Sequence, residues 1–99
     1  MSDLDKIISE ISKNKDFIRK QYKIKQIGVF GSYVRNEQTE DSDVDILIDY
    51  DKRCRVSLFD LSRLEDYLSN LLNKKVDLAL KNKLKPYIGA HILKEVRYL

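Results

Sequence analysis

The sequence has little of what marks secreted, membrane-bound or low-complexity proteins. It contains one cysteine, Cys54, which has no partner for an internal disulfide, and only three glycines and one proline. It has no signal peptide, no apolar run of membrane-spanning length, and no internal repeat or low-complexity linker. The formal net charge of +3 is too small to argue for nucleic-acid binding. We therefore expect a cytoplasmic protein with few long loops, no membrane association and no direct contact with nucleic acid.

The length and the hydrophobic periodicity together predict one domain over residues 1–99. Apolar residues recur at helical spacing between residues 4 and 22, which predicts either one interrupted helix or two short ones. Capping-box patterns at Ser2 and Ser57 predict the starts of two helices, the second of which ends at Asn73. A last helix is predicted to begin near Pro86. Its apolar side is supplied by Ile88, Ile92, Leu93 and Val96.

Three segments have the composition and alternation of β-strands: residues 25–30, 43–50 and 75–80. Between the first two, Ser32 can cap a short helix that ends at Asn36 in the left-handed conformation. We expect an α/β fold with a short mixed sheet of three strands, or slightly more. Helices are expected to pack on one face of this sheet and to leave the other face open.

Two aspartates at the start of the second predicted strand form a candidate metal site. Asp43 and Asp45 point to the same face of a strand, with Cα atoms about 6.6 Å apart. Two ionised carboxylates at ~5 Å repel by about 3 kcal/mol in an effective dielectric of ~20, so a cation between them is favoured. Paired aspartates are typical oxygen ligands for Mg²⁺. Asp49 continues the same face but lies about 13 Å beyond Asp45, too far to share that ion.

A glycine turn and a third aspartate complete the candidate site. Backbone N–H groups at the Gly31–Ser32 turn, where a helix begins, attract phosphate. Asp77 lies on the third predicted strand, and it can face the Asp43–Asp45 pair if that strand lies beside the second. Carboxylates next to a phosphate cradle indicate metal-assisted phosphoryl or nucleotidyl transfer.

Two other reactive side chains, Cys54 and His91, do not point to a catalytic role. Cys54 has basic neighbours that could lower its pKa, but no histidine lies nearby in the sequence. His91, the one histidine, is expected at the surface of the last helix.

Together with Arg35 and Ser42, the site residues form a pattern that resembles the polymerase-beta-like nucleotidyltransferase superfamily. The pattern is Gly31-Ser32…Arg35…Ser42-Asp43-Val44-Asp45, followed by Asp77. Over nearly its whole length the chain is similar to minimal nucleotidyltransferases of the MntA type, the antitoxin partners of HEPN-domain toxins. Asn36 stands where many relatives have glycine, and asparagine can adopt a similar backbone conformation.

The resemblance implies a role for each residue of this pattern. Gly31, Ser32 and Ser42 hold the nucleotide. Asp43 and Asp45 bind Mg²⁺, and Asp77 completes the metal-binding triad and helps to activate the acceptor hydroxyl. Arg35 is also assigned to nucleotide binding, where it contacts phosphate or the acceptor, although a surface role is an alternative.

The resemblance also implies an activity: Mg²⁺-dependent transfer of AMP from ATP to a tyrosine of a HEPN ribonuclease toxin. The chain and its toxin are then expected to form a hetero-oligomer, in which the docked toxin supplies the wall that a short chain lacks. Two alternatives are an antitoxin that neutralises its toxin by contact alone and a transferase that acts on a small molecule. The presence of all three aspartates favours an enzyme, and the lack of a further acceptor domain disfavours the small molecule.

Overall fold

The computed structural model of the chain describes residues 2–51, 53 and 55–99, so the expectations for Cys54 lie outside the described residues. Its helices and strands alternate along the chain. In order they are α1 (Asp3–Lys13), α2 (Lys15–Tyr22), β1 (Ile24–Phe30), α3 (Ser32–Arg35), β2 (Val44–Tyr50), α4 (Leu58–Leu72), β3 (Val76–Leu80), a 3₁₀ turn (Lys81–Lys83), α5 (Pro86–Glu95) and β4 (Arg97–Tyr98).

The four strands form one mixed sheet in the order β3-β2-β1-β4. β1 is antiparallel to β2 and to β4, whereas β2 and β3 are parallel. A parallel pair needs a crossover connection, and α4 provides it. The α/β prediction with a mixed sheet of three strands or slightly more is confirmed. The strand that the sequence patterns did not show is β4, which has only two residues.

Most predicted helix ends are confirmed because local side chains set them. Ser2 and Ser57 both form capping boxes, with Asp5 and Asp60 respectively, and Asn73 ends α4 in the left-handed conformation. The first helical region is two helices, divided at Asn14.

The cap of α3 differs from the prediction. Gly31, not Ser32, precedes the helix, with φ 82° and ψ −153°. Only glycine adopts these angles readily, so the chain turns at Gly31 and Ser32 is already the first helical residue. Asn36 ends the helix in the left-handed conformation with φ 59°, as predicted.

The hydrophobic core lies between one face of the sheet and helices α1, α2 and α4. The predicted core-facing residues of β2 are fully buried there, as are helix residues that pack against them. They include Val44, Ile46, Ile48, Ile11, Ile18, Leu64 and Leu68.

Helix α5 contributes less to the core than the sequence predicts. Ile88 and Leu93, which the sequence assigns to its apolar side, are 53 % and 47 % exposed, so this side is only partly buried. Ile92 and Val96 are half-buried, and Gly89 is the buried residue of the helix. The reason is that α5 connects β3 at one edge of the sheet to β4 at the other and lies outside the core cluster. None of the helices among residues 2–51, 53 and 55–99 is long and apolar enough to cross a membrane.

Candidate active site

The turn after β1 is shaped by Gly31. Its φ and ψ lie in a region that residues with a Cβ atom almost never adopt. A Cβ atom at this position would also collide with the carboxylate of Asp45. The carbonyl oxygen of Gly31 accepts hydrogen bonds from the N–H groups of Val34 and Arg35 at 3.0 and 3.2 Å, which start α3. The turn therefore lies directly against a predicted metal ligand.

Asp45 and Asp77 are neighbours across the parallel pair. The register of β2 and β3 places Asp45 beside Asp77, at the strand spacing of about 4.8 Å. This meets the condition stated for Asp77, that its strand lie beside the second. Asp45 is half-buried and Asp77 is exposed. Asp43 lies two residues before Asp45, directly ahead of β2, and is half-buried.

The environment of Asp45 opposes its ionisation. Burial raises the pKa of Asp45 most, and the neighbouring charges of Asp77 and Asp43 raise it further. Arg35 lowers this pKa by less than any of these, and the rise from Glu95 is smaller still. Two of these charges, those of Asp77 and Asp43, come from the other predicted metal ligands, so both lie close enough to act on Asp45. A bound cation would favour the ionised form.

The donor set fits a metal that keeps part of its coordination shell open. In the part of the chain that the structure describes, no three histidine, cysteine or carboxylate side chains come together closely enough to enclose a metal ion. Mg²⁺ rarely needs such a cage, because proteins usually hold it by one or two carboxylates, with waters and substrate phosphates as the other ligands. Asp45 with Asp77 or Asp43 supplies hard oxygen donors of that kind.

Ser42 has a hydrogen-bonding role within its own loop. Its hydroxyl oxygen accepts a hydrogen bond from the backbone N–H of Thr39 at 2.9 Å, and its N–H donates to the carbonyl oxygen of Thr39 at 3.1 Å. This local turn leads directly into Asp43. Ser32, half-buried at the start of α3, lies next to Gly31.

Glu95 is a site residue that the sequence patterns did not reveal. Its Oε1 accepts hydrogen bonds from the N–H of Gly31 at 3.0 Å and from Nη1 of Arg35 at 3.0 Å, and its Oε2 lies 2.9 Å from the same Nη1. The contact joins residues 60 and 64 positions apart, so no local spacing could have shown it.

One cavity of the molecule lies away from these residues. It has a volume of about 170 Å³ and is found at the opposite end of β2. Its lining includes Tyr22, Lys23, Tyr50, Arg55, Asp60 and Arg63. The candidate site is reachable from solvent at Asp77, which is exposed, whereas Gly31 is buried and Asp43 and Asp45 are half-buried.

Similarity to known proteins agrees with this geometry. The chain matches the family described as "Nucleotidyltransferase domain" over residues 11–99. It is 47 % identical to a Methanocaldococcus jannaschii protein provisionally named protein adenylyltransferase MJ0126, with all of both chains covered. It is 44 % identical to "Protein adenylyltransferase MntA" of Thermococcus cleftensis, with 100 % of this chain and 98 % of that protein covered.

Solved structures share the fold. One, provisionally described as a minimal nucleotidyltransferase, has a TM-score of 0.78 at 27 % identity and covers 100 % of this chain and 97 % of its own. A toxin–antitoxin structure with AMP-PNP has a TM-score of 0.71 at 21 % identity, with 91 % of this chain and 69 % of the other covered. The MNT antitoxin complex with a tri-AMPylated Shewanella oneidensis HEPN toxin has a TM-score of 0.62 at 17 % identity, with 90 % and 70 % covered. The chain belongs to the nucleotidyltransferase domain family.

Proposed function

We propose that this nucleotidyltransferase, as one domain over residues 1–99, is a Mg²⁺-dependent protein adenylyltransferase that transfers AMP from ATP to a tyrosine of a HEPN-domain toxin. The observation that carries the proposal is the register of Asp45 with Asp77 beside the Gly31 turn. This arrangement gathers carboxylates and a glycine turn at one end of the sheet. The name of the Thermococcus relative and the AMPylated toxin of the Shewanella complex support the choice of a protein acceptor.

Each residue has a proposed role in the transfer. Gly31, Ser32 and Ser42 hold the triphosphate end of ATP. Asp43 and Asp45, with Asp77 beside them, would hold Mg²⁺, and the ion would supply positive charge against the phosphates. The acceptor hydroxyl oxygen attacks the α-phosphorus, the bond to the pyrophosphate group breaks, and Asp77 takes the hydroxyl proton. The exposure of Asp77 supports this last role, because an acceptor must reach it from outside.

The openness of the site supports a protein acceptor over a small molecule. Asp77 is exposed, and none of the three aspartates lines the cavity at the other end of β2. Transfer is favoured when the acceptor is held in place and water is excluded. A docked toxin would do both, and the toxin–antitoxin pair would then form a hetero-oligomer around the nucleotide.

The test is incubation of the protein with α-labelled ATP, Mg²⁺ and a HEPN-domain toxin. We expect label on a toxin tyrosine, and loss of labelling in Asp43→Asn and Asp45→Asn with far-ultraviolet circular dichroism close to wild type. Asp49→Asn, on the same strand as Asp45 but outside the site, is the matched control and should label normally. Toxin neutralisation without any label on the toxin would contradict the proposal and favour neutralisation by contact.

A further inference from the structure

The carboxylate of Glu95 connects the end of α5 to two parts of the candidate site. It accepts from the Gly31 N–H at 3.0 Å, and both of its oxygens lie within 3.0 Å of the Arg35 guanidinium. The Glu95 side chain is only 22 % exposed. Hydrogen bonds of this charge-assisted kind are about twice as strong as neutral ones, and reduced exposure limits their screening.

The second carboxylate at Arg35 provides a contrast. Glu37 lies 3.1 Å from Nε of Arg35, but its side chain is 65 % exposed. Exposed pairs of this kind contribute little to stability. Among the described contacts, Glu95 is the carboxylate that reaches both Arg35 and the backbone of the turn.

The turn is therefore held from two sides. On one side, the Asp45 carboxylate lies so close that a Cβ atom on Gly31 would collide with it. On the other side, the Glu95 carboxylate accepts a hydrogen bond from the Gly31 N–H and another from the Arg35 guanidinium. Glycine is conformationally permissive, so the backbone of Gly31 does not by itself fix the position of the turn. The contacts with Asp45 on one side and Glu95 on the other therefore determine how far the turn lies from Asp45.

We propose that Glu95 and Arg35 act together as positioning residues, which hold the Gly31–Ser32 turn in the geometry that receives the nucleotide. The inference rests on the proposed function and assigns Arg35 a different role from the phosphate contact that the family resemblance implies. Two of its three nitrogen atoms already contact carboxylates: Nε lies 3.1 Å from Glu37 and Nη1 lies 2.9 Å from Glu95. Glu95 is then part of the site without being a ligand of the nucleotide.

The test is calorimetric titration of the full chain with Mg²⁺ and AMP-PNP, at a temperature well below the melting transition. We expect Glu95→Ala to weaken binding by about tenfold, the factor that corresponds to one lost charge-assisted hydrogen bond. Arg35→Ala should give a similar loss. The double variant should lose no more than the larger single loss, because both changes break one bridge. Glu95→Gln keeps an acceptor for the Gly31 N–H and should recover most of the affinity.

Glu37→Ala is the matched control, since it removes the other carboxylate at Arg35 and should bind AMP-PNP like wild type. In the nucleotide-free protein, Glu95→Ala and Arg35→Ala should shift the amide resonance of Gly31, and Glu37→Ala should not. The inference would be overturned if the loss of AMP-PNP affinity in the double variant equalled the product of the two single losses. Arg35 would then act independently of Glu95, as a residue that binds the nucleotide itself. Tighter binding in Glu95→Ala would also overturn it, because Glu95 would then compete with phosphate.

The wild-type titration separates the two proposals. Absence of AMP-PNP binding by wild type would overturn the proposed function and, with it, this inference. Wild-type binding that is unchanged in Glu95→Ala would overturn only the inference about positioning.

Discussion

At the scale of single residues, the candidate site places the Asp45 carboxylate close to other negative charges, which destabilises its ionised form. Burial and the charges of nearby carboxylates raise the pKa of Asp45. An acid whose pKa is higher in the folded than in the unfolded state binds protons more tightly when folded, so the free energy of unfolding falls as the pH rises through the interval between the two values. This loss of folding stability is absent when the pH lies below 3.8, the ordinary pKa of aspartate, and complete when the pH lies above the raised pKa of Asp45.

Replacement of Asp45 by asparagine should remove this penalty. At neutral pH and without metal, we expect Asp45→Asn to melt several degrees above wild type, and the difference should vanish in acid below pH 3.8. Thermal melts from acid to neutral pH would measure it. A variant that melts below wild type at neutral pH would show that the Asp45 carboxylate does not carry an electrostatic cost.

Magnesium should stabilise wild type much more than Asp45→Asn. If the dissociation constant is ~1 mM, ~10 mM Mg²⁺ stabilises wild type by about 1.4 kcal/mol, which raises the melting temperature by roughly 6–10 °C. Asp45→Asn should respond little, and Asp49→Asn should respond like wild type. Equal responses of Asp45→Asn and wild type would remove Asp45 from the metal site.

Gly31 should tolerate no side chain. Alanine at this position meets unfavourable backbone angles, which cost about 1–3 kcal/mol, and its Cβ collides with Asp45. We expect Gly31→Ala to lower the melting temperature and to abolish AMP-PNP binding. A variant with wild-type melting and binding would mean that the turn is not constrained by Asp45.

At the scale of helices and strands, local signals determine most of the fold. The sequence was sufficient to predict both capping boxes and the alternation that buries Val44, Ile46 and Ile48, because neighbouring side chains set these features. β4 could not be predicted from two residues, whose strand conformation depends on pairing with the distant β1. The contact between Glu95 and Gly31 was missed for the same reason, since only the tertiary fold brings them together.

The cap of α4 is a feature whose energy can be measured. The Ser57 hydroxyl accepts from the Asp60 N–H at 3.2 Å, and Asp60 accepts from the Ser57 N–H at 2.9 Å. Ser57→Ala should cost about 1 kcal/mol, or about 4–8 °C in melting temperature. Ser62→Ala, on the exposed side of the same helix, should cause no loss because alanine favours helix. Equal melting of the two variants would mean that the capping box contributes little.

At the scale of the whole molecule, one face of the sheet carries the core and one end carries an open group of carboxylates. We expect a stable complex with the HEPN-domain partner that covers this end. Size-exclusion chromatography after co-expression should show co-elution of the two proteins. Separate elution at micromolar concentration would indicate a brief encounter between enzyme and substrate.

The contact between Glu95 and the Gly31 turn also bears on how the protein is made. During synthesis, the turn and the aspartates leave the ribosome well before residue 95, which follows Gly31 by 64 positions. A nascent chain that has not yet reached α5 therefore contains Gly31, Asp43, Asp45 and Asp77 but lacks the Glu95 carboxylate that binds the Gly31 N–H. Contacts of such long sequence separation form late, because the intervening chain must first be ordered. With the positioning role proposed for Glu95, the turn gains this contact, and with it the geometry that receives the nucleotide, only after α5 has been synthesised.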